Sequence, residues 1–484
     1  MVASRDISPG EVVVVESSVC WGPNHTPDLV CLECLVQVTP GQVCDKCGYP
    51  LCDDHGGDAP NHALECEVFT RAGYKLGHDD LEDMEIHYPC VEIIRCLSLR
   101  EKSVDIKRLV DMLMDHREER MAEKEKYIEP YKDNVIRRLI DDLGIGDEEE
   151  IIKVLGYLDV NSIAVRGIVI ELIIQAIFLI INNVGADGPY RGRGIYPVAS
   201  LMNHSCICNT RNIITGSMLE SRATVPITAG SPITTHYVSP LLNISTRQQR
   251  LREKWFFDCK CERCCSPTDN GAYTSALQCQ GCETGYLVPQ NSHGYSCDTC
   301  KVNISDQEAE LKVKMWEPLV EALGTFKSTG TQEKEALMNQ LLLNFHPNHS
   351  MVIEMKLEVA NKLCREDNGI LDNATTEDLK KKKKVCEDIL GVMNIIYPGL
   401  SKYRGLLLHE LADTNLSLAA KLFNHQEISK TEFNENLKLC KDFLDEGIYC
   451  LKHDRVGSFE SGVCHKMRKM KDSCQDFETF ISFL

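Results

Sequence analysis

Short apolar runs and one long helical stretch alternate along the first part of the chain. Residues 12–15 are four valines that follow the turn signal Ser-Pro-Gly at 8–10, and this pattern predicts a strand. Apolar periodicity then disappears over residues 30–66. This segment is therefore not expected to be organised by a hydrophobic core. Apolar periodicity returns over residues 80–184 as a helical pattern, in which Asp147 and the three glutamates behind it predict a helix start.

The pattern changes again in the middle of the chain. Residues 168–181 are apolar on nearly every side, which predicts a helix buried between layers. Residues 185–194 carry four glycines without a strand-loop-helix context, so a connecting loop is predicted rather than a phosphate-binding one. Residues 195–240 read as short strands and turns. From about residue 305 the chain is predicted to be helical to its end.

Two features of the C-terminal region predict packed helices. Ser429 and Glu432 form a capping box. One apolar helix face, predicted to be core, is marked by Leu407, Leu411, Leu418 and Leu422. Strands in the first half and helices in the second predict a multidomain α+β protein.

Length and charge limit the classes of function. The 484 residues suggest about three domains, and the formal net charge is −19. An acidic chain repels phosphates, so broad nucleic-acid binding and binding to anionic membranes are excluded, whereas a basic peptide would be attracted. The apolar run at 168–181 is too short to span a bilayer, and the first residues do not resemble a secretory signal.

The 25 cysteines are the exceptional feature of the composition. In a reducing compartment, paired cysteines are metal ligands before they are disulfides. Eight candidate ligands fall within residues 31–66, enough for two tetrahedral zinc ions, and they are Cys31, Cys34, Cys44, Cys47, Cys52, His55, His62 and Cys66. Of these, His55 has the weakest case and could be a bystander.

Two further cysteine groups follow. Cys259, Cys261 and Cys264 supply three ligands, and the fourth is either the adjacent Cys265 or a distant residue. Four cysteines with zinc-ribbon spacing predict a complete structural site, formed by Cys279, Cys282, Cys297 and Cys300.

Two short motifs suggest a reaction. Asn203-His204-Ser205-Cys206 is followed some thirty residues later by a strand-like segment that ends in His236-Tyr237. Together with the cysteines at 259–264 they resemble a SET domain, the fold of protein-lysine methyltransferases. Because the dense cysteine segment at 31–66 resembles a MYND zinc finger, the whole chain resembles the SMYD family, and the extra cysteine ribbon is similar to its arthropod members.

The resemblance implies a domain order. It predicts a SET β-fold split by the MYND finger, a zinc-bound post-SET segment, a zinc ribbon and an all-α C-terminal domain. The expected ranges are 1–29 for the start of SET, 30–66 for the finger, 67–184 for a helical insert, 185–240 for core SET, 241–270 for post-SET, 275–301 for the ribbon and 305–484 for the helical domain.

The resemblance also assigns roles to residues. It implies that the finger ligands interleave, with Cys31, Cys34, Cys52 and His55 on one ion and Cys44, Cys47, His62 and Cys66 on the other. The family usually has cysteine where this chain has Gly56, so the fourth ligand of the first ion stays open. Cys206 would complete the site of Cys259, Cys261 and Cys264.

A cofactor and a catalytic residue follow from the same resemblance. S-adenosylmethionine would be bound by Asn161, Asn203, His204 and Phe257, and Tyr237 would be the catalytic tyrosine. A lysine amine attacks a sulfonium methyl only when it is neutral, and burial beside a positive charge favours that form. No metal is needed at the reacting centre, so about four structural zinc ions are expected.

Two functions stay open at this point. The first is a monomeric methyltransferase that acts on a lysine of a histone or another protein and regulates transcription. The second is a non-catalytic adaptor or corepressor whose MYND finger binds a proline-containing peptide; it is suggested because the chain begins after the glycine-bearing segment that opens the family's SET fold. The lysine run 380–384 predicts a solvated helix face rather than an import signal, so cytoplasm and nucleus are both expected.

Overall fold

The fold was analysed in a computed structural model of the chain. The structure describes residues 1–484 except 25, 27, 56–58, 166–190, 283, 291–292, 326–329, 364–373, 457 and 484. The helix predicted at 168–181 lies outside the described residues. Within the described part, no helix combines the length and the apolar character that crossing a membrane requires.

Twelve strands form small sheets in the described part of the chain. In order they are β1 Val12–Ser17, β2 Cys20–Pro23, β3 Ser162–Val165, β4 Gly192–Ile195, β5 Asn203–His204, β6 Thr210–Thr215, β7 Met218–Ala223, β8 Thr234–Thr235, β9 Leu277–Gln278, β10 Tyr286–Pro289, β11 Tyr295–Cys297 and β12 Asn303–Ile304.

The valine run forms the strand predicted for it. β1 pairs antiparallel with β7, and β7 pairs with β6, which gives the order β1-β7-β6. The residues before β1 are joined to the same region, because Ala3 N–H donates to Ser231 O at 2.9 Å and Ile7 exchanges two hydrogen bonds with Ile227. The start and the middle of the chain therefore fold as one unit.

The second sheet differs from the sequence prediction. Its order is β2-β4-β3, so a strand interrupts the segment 67–184 that the sequence predicts as helical, and another lies in the predicted loop 185–194. Both glycines of β4 are required by close packing: a Cβ on Gly192 would lie 2.3 Å from a methyl of Leu35, and one on Gly194 would lie 2.5 Å from the Ser18 hydroxyl. The two glycines therefore mark where β4 packs closely against Leu35 and Ser18.

Helices make up most of the remaining chain. They are α1 His62–Arg71, α2 Tyr88–Lys102, α3 Val104–Asp111, α4 Arg117–Ala122, α5 Lys124–Tyr127, α6 Glu129–Tyr131, α7 Glu148–Asn161, α8 Ile244–Trp255, α9 Glu262–Cys265, α10 Asp306–Thr325, α11 Thr331–Leu342, α12 Ser350–Lys362, α13 Thr376–Ile396, α14 Lys402–Asn424, α15 Lys430–Leu451 and α16 Phe459–Phe483. Short 3₁₀ turns cover Asp53–His55, Asp79–Ile86 and Ala199–Leu201, and π-helical turns cover Lys132–Ile136 and Arg138–Asp142.

Both predicted helix caps are present. The Asp147 carboxylate accepts from Glu150 N–H at 2.8 Å and starts α7. Ser429 and Glu432 form the reciprocal capping box of α15. The leucine face of α14 is largely core, with Leu407 and Leu411 fully buried.

The lysine run is not the fully solvated face that the sequence predicts. Lys382 is 1% exposed, and its ammonium lies 3.0 Å from a carboxylate oxygen of Glu410. The neighbouring Lys383 donates to Asn415 at 2.6 Å. Both lysines therefore bind α13 to α14, because a buried charge is tolerated only when it is paired.

An ion pair joins the sheet to the helical C-terminal region. Arg211 on β6 donates to Asp454 at 2.6 Å and to the carbonyl oxygen of Cys450 at 3.2 Å. Leu400 N–H, between α13 and α14, donates to Thr224 O at 2.9 Å. The fold is therefore mixed α+β, with a sheet-and-finger half attached to a helical half.

Candidate functional site

The cysteines and histidines at 31–66 form two groups with metal-site geometry. In tetrahedral zinc sites with ~2.3 Å Zn–S bonds, two sulfurs lie about 3.8 Å apart, and a sulfur and a nitrogen about 3.5 Å apart. The sulfurs of Cys44 and Cys66 are 3.8 Å apart, and Cys47 Sγ lies 3.5 Å from His62 Nε2. These four donors fit one zinc ion.

The other four ligand candidates form the first group. Cys34 Sγ lies 3.9 Å from Cys52 Sγ, and His55 Nδ1 lies 2.9 Å from the same Cys52 sulfur. All donor atoms of Cys31, Cys34, Cys52 and His55 lie within 4.8 Å of one another. The groups interleave as the resemblance implies, with His55 as the fourth donor, while residue 56 lies outside the described residues.

A buried charge network orients one of these ligands. His62 Nδ1 lies 3.0 Å from Glu65 Oε1, and the Glu65 carboxylate is bound by the Arg95 guanidinium through two hydrogen bonds. Arg95 also donates to the carbonyl oxygens of Trp21 and Leu32. A histidine that binds metal through one nitrogen usually donates the other N–H to such a carboxylate, so this network prepares His62 Nε2 as a ligand.

The cysteines at 259–264 have a fourth partner that is distant in the sequence. Cys206 Sγ lies 3.5 Å from Cys264 Sγ, and Cys259 and Cys261 complete a group whose donor atoms are all within 4.8 Å of one another. The alternative candidate, Cys265, is exposed and outside the group. The geometry is that of a four-thiolate zinc site.

Two arginines surround this group, which the sequence analysis did not foresee. Arg247 and Arg263 are both fully buried, and both donate to the carboxylate of the buried Asp269. Arg247 Nη2 lies 3.7 Å from Cys264 Sγ, and Arg263 Nη1 donates to Cys206 O at 3.3 Å. Because four thiolates and Zn²⁺ carry a net charge of −2, cations at this distance stabilise the site.

The ribbon cysteines form the fourth group. Cys279 and Cys300 have sulfurs 3.7 Å apart, as do Cys282 and Cys297. The group is held by the sheet β12-β11-β10-β9. It lies outside the elements that carry Tyr237, which fits a structural role.

The residues expected to bind a cofactor lie on three neighbouring segments. Asn203 and His204 form β5, which pairs parallel with β8 just before Tyr237. The ring of Phe257 lies 6.2 Å from the His204 ring, centroid to centroid. Asn203 is exposed and Phe257 is half-buried, so an amide and an aromatic face are accessible beside each other.

The His204 ring is already engaged within the protein. Its Nδ1 accepts from Tyr237 N–H at 3.0 Å, and its Nε2 lies 3.2 Å from Cys206 Sγ. Burial lowers the pKa of His204 to about 4, so the ring is neutral at pH 7. The ring therefore links Tyr237 to the zinc group.

Asn161 lies at the C-terminal end of α7. Its amide donates to Met114 O at 2.7 Å, and its carbonyl oxygen accepts from the Ser200 hydroxyl at 3.1 Å. The preceding residue, Val160, accepts from Trp255 Nε1 at 2.8 Å. Hydrogen bonds thus hold α7, the segment before β5 and the end of α8 together.

Tyr237 is central to this arrangement. Its hydroxyl donates to Met202 O at 2.7 Å, and burial raises the pKa of the phenol, which keeps it protonated. The side chain lines two cavities, one of about 290 Å³ towards Tyr397 and one of about 630 Å³ towards Trp255 and α12. A hydroxyl that gives its hydrogen to a carbonyl retains lone pairs for an incoming N–H group.

Comparison with known proteins shows what the chain is similar to. No family model matches the chain. It is 25% identical over 442 residues to "SET domain-containing protein SmydA-8, isoform A" of Drosophila melanogaster, which covers 84% of this chain and 85% of the relative. It is 35% identical over 117 residues to "Protein-lysine N-methyltransferase SMYD4" of Mus musculus, which covers 23% of this chain and 14% of that protein. A match to human "N-lysine methyltransferase SMYD2" spans 73 residues at 38% identity, 15% of this chain and 17% of that protein.

The comparisons agree with the architecture, since four cysteine-rich donor groups and a helical C-terminal region are what the expected domain order requires. The likeness to the Drosophila protein runs through most of both chains rather than through one motif. The chain is therefore similar to SET domain proteins of the SMYD kind over most of its length and, over shorter stretches, to proteins named as protein-lysine methyltransferases.

Proposed function

We propose that the chain is a protein-lysine N-methyltransferase that uses S-adenosylmethionine. The observation that carries the proposal is the position of Tyr237, hydrogen-bonded to Met202 O, joined to His204 and lining two cavities. Relatives bearing the name of protein-lysine methyltransferase support it.

The cofactor would lie across β5 and the end of α8. The exposed amide of Asn203 and the half-buried ring of Phe257 suit a nucleoside, because an aromatic face stacks on adenine and amides hydrogen-bond its edge. Asn161 would act mainly by fixing the wall of the site, since its amide is bound to Met114 O. When bound, the cofactor supplies an electrophilic methyl group on a positive sulfonium.

The protein's own contribution is positioning. The cofactor, held by Asn203 and Phe257, would supply a methyl carbon for attack by the lysine nitrogen, and the carbon–sulfur electron pair would leave with sulfur. The Tyr237 oxygen would accept an N–H of the neutral amine and aim its lone pair. Burial in a cavity lined by Ile163, Ile213 and Ile214 favours the neutral form of the amine, so the amine would lose its proton to solvent before it reacts.

The zinc groups would have structural roles. The group at Cys206 ties β5 to α9, so zinc bound there fixes the two segments that carry His204 and Phe257. A histone tail is a suitable substrate because a chain with a net charge of −19 attracts basic peptides. With that substrate the chain would regulate transcription, and we propose that it is present in both nucleus and cytoplasm.

Calorimetric titration of the 484-residue chain with S-adenosylmethionine tests the proposal first. We expect saturable one-to-one binding, followed by transfer of a labelled methyl group to lysine peptides. Absence of binding, with all four zinc ions present, would contradict the proposal. It would favour the second function, a non-catalytic adaptor that acts through the MYND finger at 30–66.

A further inference from the structure

A second cavity that Tyr237 lines combines apolar and charged side chains. We call it the α8–α12 cleft; its volume is about 630 Å³ and it lies between α8 and α12. It is lined by Tyr237, Val238, Ser239, Leu241, Leu242, Arg250, Glu253, Lys254, Trp255, Ser350, Ile353, Glu354 and Leu357. Its lining includes both the tyrosine and a carboxylate on α12.

Glu354 is a carboxylate without a cation of its own in the described part of the chain. Burial, together with the carboxylates of Glu358 and Glu321, raises the pKa of Glu354 to about 7. The lysines nearby are committed elsewhere: Lys334 pairs with Glu358, and Lys356 lies 3.1 Å from Asp388. Among the described residues, no lysine or arginine therefore lies within ion-pair distance of the Glu354 carboxyl on this wall of the cleft.

The charged groups on the α8 wall do not pair with Glu354. The Lys254 ammonium lies 4.9 Å from the ring centre of Trp255, and burial, together with Arg193, lowers the pKa of Lys254. Glu253 accepts from Gln249 Nε2 at 3.0 Å. Arg250 is exposed and forms no ion pair with Glu354 at 4.0 Å or less.

The shape of the cleft selects the kind of side chain that would satisfy Glu354. Lysine and arginine bury long aliphatic stems on apolar surface while their charged ends reach a polar partner. Leu241, Leu242, Ile353 and Leu357 provide such surface in the cavity that Tyr237 and Glu354 also line. A small inorganic cation would leave these apolar walls uncovered, and an acidic side chain would meet a like charge.

We infer that the α8–α12 cleft binds the part of the substrate next to the target lysine, and that Glu354 selects a lysine or arginine there. The inference rests on the proposed function, because it takes Tyr237 as the place where the target lysine reacts. It goes beyond that function by defining the substrate class: proteins with a second basic residue beside the modified lysine.

An oriented peptide library tests this inference. Each fluorescent peptide has a fixed central lysine and one varied neighbour, and its binding to the zinc-loaded full chain is measured with S-adenosylhomocysteine present, alongside transfer with S-adenosylmethionine. We expect lysine or arginine to be preferred over glutamine at one position by about tenfold, a typical value for a charge-assisted hydrogen bond. In Glu354→Gln the preference should fall to about twofold or less.

Two control variants keep the test specific. Glu317→Gln removes the same charge from an exposed position of α10 and should leave the preference unchanged. Arg250→Gln should leave it unchanged, because Arg250 lines the cleft without forming an ion pair with Glu354. A preference that persists in Glu354→Gln, or that disappears in Glu317→Gln, would overturn the inference.

The outcomes also separate this inference from the proposed function. Transfer without any preference for a basic neighbour would overturn the role of Glu354 and leave the methyltransferase intact. A Glu354-dependent preference in binding without any transfer would support the cleft and overturn the methyltransferase.

Discussion

The Tyr237 hydroxyl donates a 2.7 Å hydrogen bond to the carbonyl oxygen of Met202, in the residue directly before β5. The Tyr237 N–H donates to His204 Nδ1 in the same strand. The proposed catalytic side chain is therefore fixed at both its backbone and its tip to the strand expected to bind the cofactor. Its orientation does not depend on a substrate being present.

Tyr237→Phe should abolish methyl transfer and leave the fold intact. The variant loses one half-buried hydrogen bond, worth about 1 kcal/mol, whereas loss of a positioned group at the reacting centre costs about 10²–10³-fold in rate. Transfer of labelled methyl and calorimetric cofactor binding should be measured together. Unchanged transfer with unchanged binding would remove Tyr237 from its role.

The chain should bind four zinc ions. The structure offers four groups of four donors with the spacing of tetrahedral sites. Elemental analysis of the purified chain, normalised to protein concentration, measures the number directly. A value of two or fewer would contradict the assignment of these groups as zinc sites.

Cys206→Ser should release one zinc ion and weaken cofactor binding. Cys206 is the only donor of its group that comes from the β5 side, so its loss separates β5 from the cysteines at 259–264. Cys208→Ser is the matched control, because Cys208 is two residues away and belongs to none of the four groups. It should retain all four ions, and equal zinc content in the two variants would argue against the shared site.

Glu65→Gln should weaken zinc binding in the finger and destabilise the protein. The change leaves the Arg95 guanidinium buried without its counter-ion, which costs about 3–5 kcal/mol, and removes the carboxylate that orients His62. Loss of such a partner lowers metal affinity about 10–100-fold. Competition with a zinc chelator measures the affinity, and Glu67→Gln, at an exposed position of the same helix, should behave like the unchanged protein.

Glu354 should make stability fall as pH rises. The folded chain keeps this carboxyl protonated up to about pH 7, whereas its ordinary pKa is 4.5, so between these values the folded state binds more protons than the unfolded state. The free energy of unfolding therefore decreases from about pH 4.5 to pH 7 and is constant above it as far as this group is concerned.

Thermal unfolding at pH 5 and pH 8 checks this dependence. Glu354→Gln should unfold at nearly the same temperature as the unchanged protein at pH 5 and at a higher temperature at pH 8. The charged groups around Glu354 are Glu358 on α12, Glu321 on α10, and Arg250, Glu253 and Lys254 on α8. A difference between the two proteins that does not grow with pH would contradict the shifted pKa.

Local spacing explains why much of the site could be predicted. A Cys-x2-Cys pair sets two donors at one ion regardless of the rest of the fold, so the four groups were readable from the sequence, although assigning Cys206 needed the family resemblance. Helix caps are equally local, and Asp147 and Ser429 form the predicted contacts.

Features that depend on distant partners were missed. Gly192 is glycine because Leu35 packs against it, and the sequence around residue 192 does not predict that contact. In the sequence, Lys382 belongs to a run of lysines that is predicted to be solvated. In the fold, it pairs with Glu410 of the next helix. Arg247, Arg263 and Asp269 likewise resemble surface charges in sequence, yet they form the buried surroundings of a thiolate group.

The pairing of β1 with β7 has a consequence for synthesis of the chain. Gly10 and Arg222, which are hydrogen-bonded at the start of this pairing, are 212 residues apart, whereas all eight finger ligands come from residues 31–66. At about 5–20 residues per second, a ribosome completes the finger roughly 10–30 s before it makes β7. The finger can thus take up zinc while β1 still presents an unpaired edge of valines. A shortage of zinc would therefore impair folding of the finger. A lack of chaperones would instead leave the unpaired edge of β1 open to aggregation until β7 is made.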